Sequence, residues 1–179
     1  MLKIRIDDTE FFDERTQTFE SIKGQTLSLE HSLVSVYKWE SKWRVPFLER
    51  NEKTPEMLID YVRCMTLTQN VNPIIYKALT NEHVKQIKDY IEEPMTATWF
   101  SDAHNKHVNR EIITAERIYY WMIALNIPFE CQKWHLNKLL TLIKVCNIEN
   151  QPKKKIPKHE WAKKQRALNA ARNSKAKKH

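Results

Sequence analysis

The chain has 179 residues, 41% of them hydrophobic, and a formal charge of +8 at pH 7. That length fits one domain with its own core, and six Trp, six Tyr and six Phe supply bulky anchors that exclude a chain disordered throughout. The charge is uneven: residues 151–179 hold eleven Lys or Arg against one acid, Glu160, whereas residues 1–150 hold nineteen basic and twenty-one acidic residues, so the basic character belongs to the final segment and not to the body.

The chain has a single glycine, Gly24. Phosphate-cradling loops and dinucleotide fingerprints need several glycines at fixed spacing, so both are excluded. Residues 1–30 lack a continuous apolar stretch and carry Asp7, Asp8, Glu10, Asp13 and Glu14, which predicts no secretory signal. The longest apolar run, 118–125, is far short of the roughly 20 residues of a membrane span. Cys64, Cys131 and Cys146 are odd in number and widely spaced, which reads as reduced, mostly buried thiols.

Leu2, Ile4 and Ile6 alternate with Lys3 and Arg5, the pattern of a half-buried strand that Asp7 and Asp8 end. A polar stretch over 13–17 precedes a second strand over 18–22. A turn at Lys23, Gly24 and Gln25 leads to a third, with Leu27, Leu29 and His31 on one face. A small antiparallel sheet is therefore expected to open the domain.

From Ser32 the period becomes helical. Ser32 reads as the N-cap of a helix carrying Leu33, Val36, Tyr37, Glu40 and Trp43, which Pro46 ends. Thr54, Pro55 and Glu56 read as N-cap, first-position proline and first-turn acid of a helix through Leu58, Ile59, Val62 and Met65. Asn72 and Pro73 start a shorter helix through Ile75 and Leu79, and Thr80 or Asn81 caps another that ends near Pro94. Residues 95–100 are β-prone, with Thr96, Thr98 and Trp99, and 101–109 read as an exposed loop or hairpin tip. Residues 111–125 carry apolar side chains around most of the cylinder and are expected to form the central helix, broken by Pro128. A second buried helix over 132–147, with Leu136, Leu139, Leu140 and Ile143 on one stripe, is expected to pair with it as a helical hairpin. The composition shifts at Gln151 and Pro152. Residues 152–157 read as a linker and 158–171 as a marginal helix. The fold class expected is α+β, mostly helical: a globular domain over 1–150 and a basic, flexible or weakly helical tail over 151–179.

None of the candidate chemical sites outweighs a structural reading. His104 and His107, with Asp102, have a metal-like spacing but no second ligand pair, so a solvated polar loop is preferred. Cys131 and His135 are four apart, as a thiol and its base would be, yet an inert buried Cys is preferred. Glu30, His31 and Glu40 form no carboxylate pair that the sequence can establish. The reading is therefore non-enzymatic, with no catalytic residue, metal or cofactor. The tail is different. Lys153, Lys154, Lys155, Trp161, Lys163, Lys164, Arg166 and Arg172 combine phosphate-binding charge with a stacking ring and are the residues expected to meet a partner.

Several stretches resemble a known family. They are LEHSLVS at 29–35, KWESKW at 38–43, CMTLTQN at 64–70, PMTATWF at 94–100, REIITAE at 110–116, YYWMIALNIPFEC at 119–131 and RALNAAR at 166–172. Together they resemble the tail assembly chaperones of long-tailed bacteriophages over nearly the whole chain. The resemblance implies an assembly factor of the host cytoplasm that binds the tape measure protein or other tail proteins and keeps that long helical client soluble. It is compatible with self-association, with nucleic-acid contact through the tail, and with no membrane partner. Such a protein needs a stable body, a groove for helices and flexible reach. Trp39, Trp43 and Trp99 read as core rather than groove. The rival readings are a virion protein of the tail or head–tail connector, and a nucleic-acid-binding accessory protein.

Overall fold

The computed structural model describes residues 1–13, 17–49, 52–100, 112–151, 162–163 and 165–169. The fold is α+β and mostly helical, as the periodicities predict. It divides into two units, Met1–Asn147 and Ile148–His179.

The N-terminal strands are four: β1 Leu2–Ile6, β2 Thr9–Asp13, β3 Thr18–Ile22 and β4 Gln25–Leu29. β1 pairs with β4 and β2 with β3, both antiparallel, in one unbroken register from Leu2 opposite Leu29 to Asp13 opposite Thr18. The two ladders are thus one long hairpin, interrupted where Asp7–Asp8 face Lys23–Gly24. β2 is not foreseen from the sequence, because its acidic flanks read as turn chemistry. Its hydrogen bonds come from β3, and Phe12 meets Phe19 across the strands at 5.1 Å. Ile4 and Ile6 with Leu27 and Leu29 form the buried face.

Gly24 sits at the interruption because nothing larger fits. A Cβ there would lie 2.7 Å from the Ile6 carbonyl oxygen and 2.9 Å from the Asp8 nitrogen. The Gly24 N–H donates to the Asp8 carboxylate at 2.5 Å.

The first helix, α1 (Leu33–Trp43), is the hub. Ser32 and Ser35 close a capping box at its start, and it packs closely against α2 (Pro55–Met65), α4 (Ala115–Ala124) and the 3₁₀ turn Phe129–Lys133. Leu33, Val36 and Trp39 are wholly buried. Arg44 ends the helix in the left-handed region, φ 56°, two residues before Pro46 is reached. Thr54 and Pro55 start α2 as expected. Asn72 caps a 3₁₀ turn, Pro73–Ala78, instead of an α-helix. Thr80 caps α3 (Asn81–Glu92).

Several expectations fail in the second half. Residues 95–100 form no strand: no described strand lies alongside to pair with them, Met95 takes a φ of 52°, and Trp99 is 89% exposed rather than core. β-propensity without a neighbouring ladder builds nothing. The helix expected from residue 111 begins only at Ala115, capped by Thr114. Nor is it enclosed on all sides as a central helix would be: Ala115, Ile118 and Met122 are buried, whereas Tyr120 and Ile123 are 66% and 60% exposed. The next helix, α5, spans Leu136–Glu149. Its start is delayed because His135 bridges to Ser32 as an isolated β-pair and the Leu136 N–H donates to the His31 carbonyl at 2.8 Å. α4 and α5 do not pack closely on each other as a hairpin; α1 holds the centre instead. The loop expected over 101–109 lies outside the described residues.

In the second unit, Ala162, Lys163 and residues 165–169 are helical.

Gly24→Ala is expected to lower stability by about 1–3 kcal/mol, because backbone atoms of the facing strand must move. A shift of the urea midpoint at unchanged m-value measures it.

Candidate functional site

The buried polar side chains are consumed by the architecture. Glu40 accepts from the Phe47 N–H with Oε1 and from the Ala115 N–H with Oε2, both at 2.7 Å. Burial pushes its carboxyl above the usual range, while the two backbone donors pull the other way. Asp60 accepts from the Trp43 indole at 2.9 Å and from Lys42 at 2.5 Å, and the Trp39 indole donates to the Met57 carbonyl at 2.8 Å. These bonds lock α1 to α2. Glu30 accepts from the Tyr90 hydroxyl at 2.7 Å.

His31 shares a hydrogen bond through Nδ1 with the Tyr61 hydroxyl and lies 5.1 Å, edge to face, from the ring of His135. Burial first, and the neighbouring His135 second, hold its pKa down to about 3, so it is neutral at ordinary pH. Burial pushes the Tyr61 hydroxyl up. The His135 Nε2 bonds the Tyr90 carbonyl at 2.9 Å, whereas its buried Nδ1 has no partner among the described residues. Cys131 and His135 share no hydrogen bond, so the thiol–base pair that their spacing allows is not built. Cys131 is buried, Cys64 and Cys146 are half-buried, and all three are free. Among the described residues no group of three His, Cys, Asp or Glu could hold a metal ion. The loop with Asp102, His104 and His107 lies outside them.

The chain instead offers a surface. Between α2, the 3₁₀ turn Pro73–Ala78 and α3 runs an apolar groove of about 260 Å³. α2 turns Tyr61 and Met65 inward and leaves Leu58 and Ile59 on the groove, Leu58 being 47% exposed. α3 contributes Val84, Ile87 and Ile91, at i, i+3 and i+7, so that one stripe lines the wall. Tyr76 and Leu79 complete the lining. Lys77 and Lys88 are its only charged members among the described residues.

The C-terminal end of α3 is held from α5. Asn137 donates to the Ile91 and Glu93 carbonyls at 2.9 and 2.8 Å, and His135 bonds the carbonyl of Tyr90. These bonds take up carbonyls that a helix end leaves unpaired, and they fix the wall of the groove at a defined place.

Of the tail residues expected to meet a partner, Lys163 and Arg166 are exposed on helical turns. Lys153, Lys154, Lys155, Trp161, Lys164 and Arg172 lie outside the described residues. The groove itself escapes the sequence reading, which names Leu58, Ile59, Val62 and Met65 only as residues of one helix. The available signal was an excess: α2 carries more apolar residues than one buried face needs. No helix among the described residues is long and apolar enough to cross a membrane. Compared with protein families, with curated proteins and with solved structures, the chain matches none.

Two predictions follow from the buried groups. A histidine whose folded pKa lies near 3 against an ordinary 6.5 contributes stability that is complete above pH 6.5 and lost as pH falls towards 3. The loss is roughly 1.4 kcal/mol for each pH unit in that window. Denaturant unfolding at pH 7, 5.5 and 4.5 should show the slope, and His31→Gln should flatten it. Glu40→Gln puts an amide N–H₂ against one of two backbone N–H groups. It should cost about 1–3 kcal/mol, read as a lowered urea midpoint with the same m-value.

Proposed function

We propose that this chain is a non-enzymatic holding protein that docks an amphipathic helix of a client in the groove between α2 and α3. The observation that carries the reading is the groove: a contiguous apolar trough, open to solvent, bounded by Leu58, Ile59, Val84 and Ile91. Apolar side chains grouped on an open surface lower the free energy of whatever covers them. An α3 stripe at i, i+3 and i+7 matches the anchor spacing of a helix laid into a groove.

The reading agrees with the family that the sequence resembles. On it, the client is the tape measure protein of a long-tailed phage, a long helical chain that exposes apolar stripes before the tail tube forms around it. The site of action is the host cytoplasm. The groove is walled by aliphatic side chains with Tyr61 and Tyr76, not by tryptophans. Trp39 is wholly buried, and Trp43 is half-buried against Asp60.

Co-expression tests it. The tape measure protein should stay in the soluble fraction with the wild-type chain and move to the pellet with a Leu58→Asp/Val84→Asp variant, whose changes lie at exposed positions. Client solubility that is the same with and without this chain rejects the reading.

A further inference from the structure

The groove also carries information about the charge of its occupant. Lys77 and Lys88 are both exposed, and among the described residues no acid lines the groove with them. Neither lysine forms an ion pair among the described residues. Two of the three carboxylates of α3, Asp89 and Glu92, border with Glu93 a separate depression beside Leu2 and Gln86. Lys88 thus sits among the α3 residues that line the groove, Val84, Ile87 and Ile91. The body over 1–150 holds slightly more acids than bases, so two unpaired lysines on its apolar trough run against its overall charge.

The form of the occupant follows from the walls. Helices build both sides and satisfy their own backbone groups, so the trough presents no sheet edge. An extended segment laid there would leave its N–H and C=O groups facing apolar side chains, which is costly. A helix satisfies its backbone internally. The stripe from Val84 to Ile91 covers about 10 Å of axis, two helical turns.

We propose that the groove selects an amphipathic helix whose apolar stripe is flanked by carboxylates, held by Lys77 and Lys88. The inference rests on the docking function proposed above and adds the sign of the partner. Beside an apolar wall, a lysine facing a carboxylate is attracted more strongly than in open water, and a lysine facing a second cation is repelled. The chain's own basic segment over 151–179 has the disfavoured sign.

Two synthetic helical peptides with the same leucine stripe test the proposal, one flanked by Glu and one by Lys. Each is titrated against the full chain by fluorescence anisotropy. The Glu peptide should bind roughly tenfold tighter at low salt, and the preference should shrink as salt rises. A Lys77→Glu/Lys88→Glu variant, changed only at exposed positions, should reverse the preference while retaining its circular dichroism spectrum. Equal binding of the two peptides, both lost in Leu58→Asp/Val84→Asp, overturns the charge selection and leaves the docking reading standing. Preference for the Lys peptide overturns it likewise. Binding of neither peptide, or binding indifferent to Leu58→Asp/Val84→Asp, overturns both.

Discussion

The first turn of every helix leaves backbone N–H groups without partners, and in a packed domain some protein group must take them. In this chain one side chain does so for two segments at once. Glu40 lies near the end of α1 and accepts from Ala115, the first residue of α4, and from Phe47 in the segment after α1. A carboxylate at a helix N-terminus also meets the positive end of the helix dipole. Burying the charge is costly, as the raised pKa shows, and the two short charge-assisted bonds offset that cost. Glu40 thereby reaches a residue 75 positions further along the chain, and the position of α4 depends on it.

A second junction lies where β4 passes into α1. The Glu30 N–H donates to the Met65 carbonyl and the Leu67 N–H to the Ser28 carbonyl, which ties the end of α2 to the hairpin. His135 and Leu136 join the same place from the start of α5. His31, Tyr61 and His135 fill the space beneath, sealed by Phe47 stacked on Tyr61 at 4.0 Å. These two junctions explain the groove. With the inner side of α2 held by α1 and by the junction, its Leu58 and Ile59 are left outward. With the end of α3 held by Asn137 and His135, the Val84 stripe is left facing them.

Features that depend on a few neighbouring residues were legible in the sequence. Ser32, Thr54, Asn72 and Thr80 act as caps because a side-chain oxygen reaches an N–H two or three residues on, which needs no distant partner. Leu2, Ile4 and Ile6 with Leu27 and Leu29 alternate as a one-sided hairpin must. Where the reading failed, the deciding partner was remote. β2 exists because β3 lies beside it. Residues 95–100 have comparable propensity and no such neighbour among the described residues, so they stay irregular and Trp99 stays exposed. Glu111 looked like a helix start, but Thr114 takes the cap and Glu40 takes the next N–H. Arg44, Met95 and Asn126 adopt positive φ, and no glycine marked any of them in advance.

The candidate site divides along the same line. The separation of charge between residues 1–150 and 151–179 is a property of composition alone, and the sequence determined it without any fold. The sequence also determined which segments would be helical, because period and caps are local. Which face of each helix would be buried was decided only by tertiary structure. Leu58, Ile59, Val62 and Met65 belong to one periodic pattern, yet Met65 is wholly enclosed and Leu58 is open to solvent. Nothing within that pattern separates the two, because burial depends on what the rest of the chain brings alongside. The groove exists because α1 packs on the other side of α2, while β1 and the start of α5 hold α3.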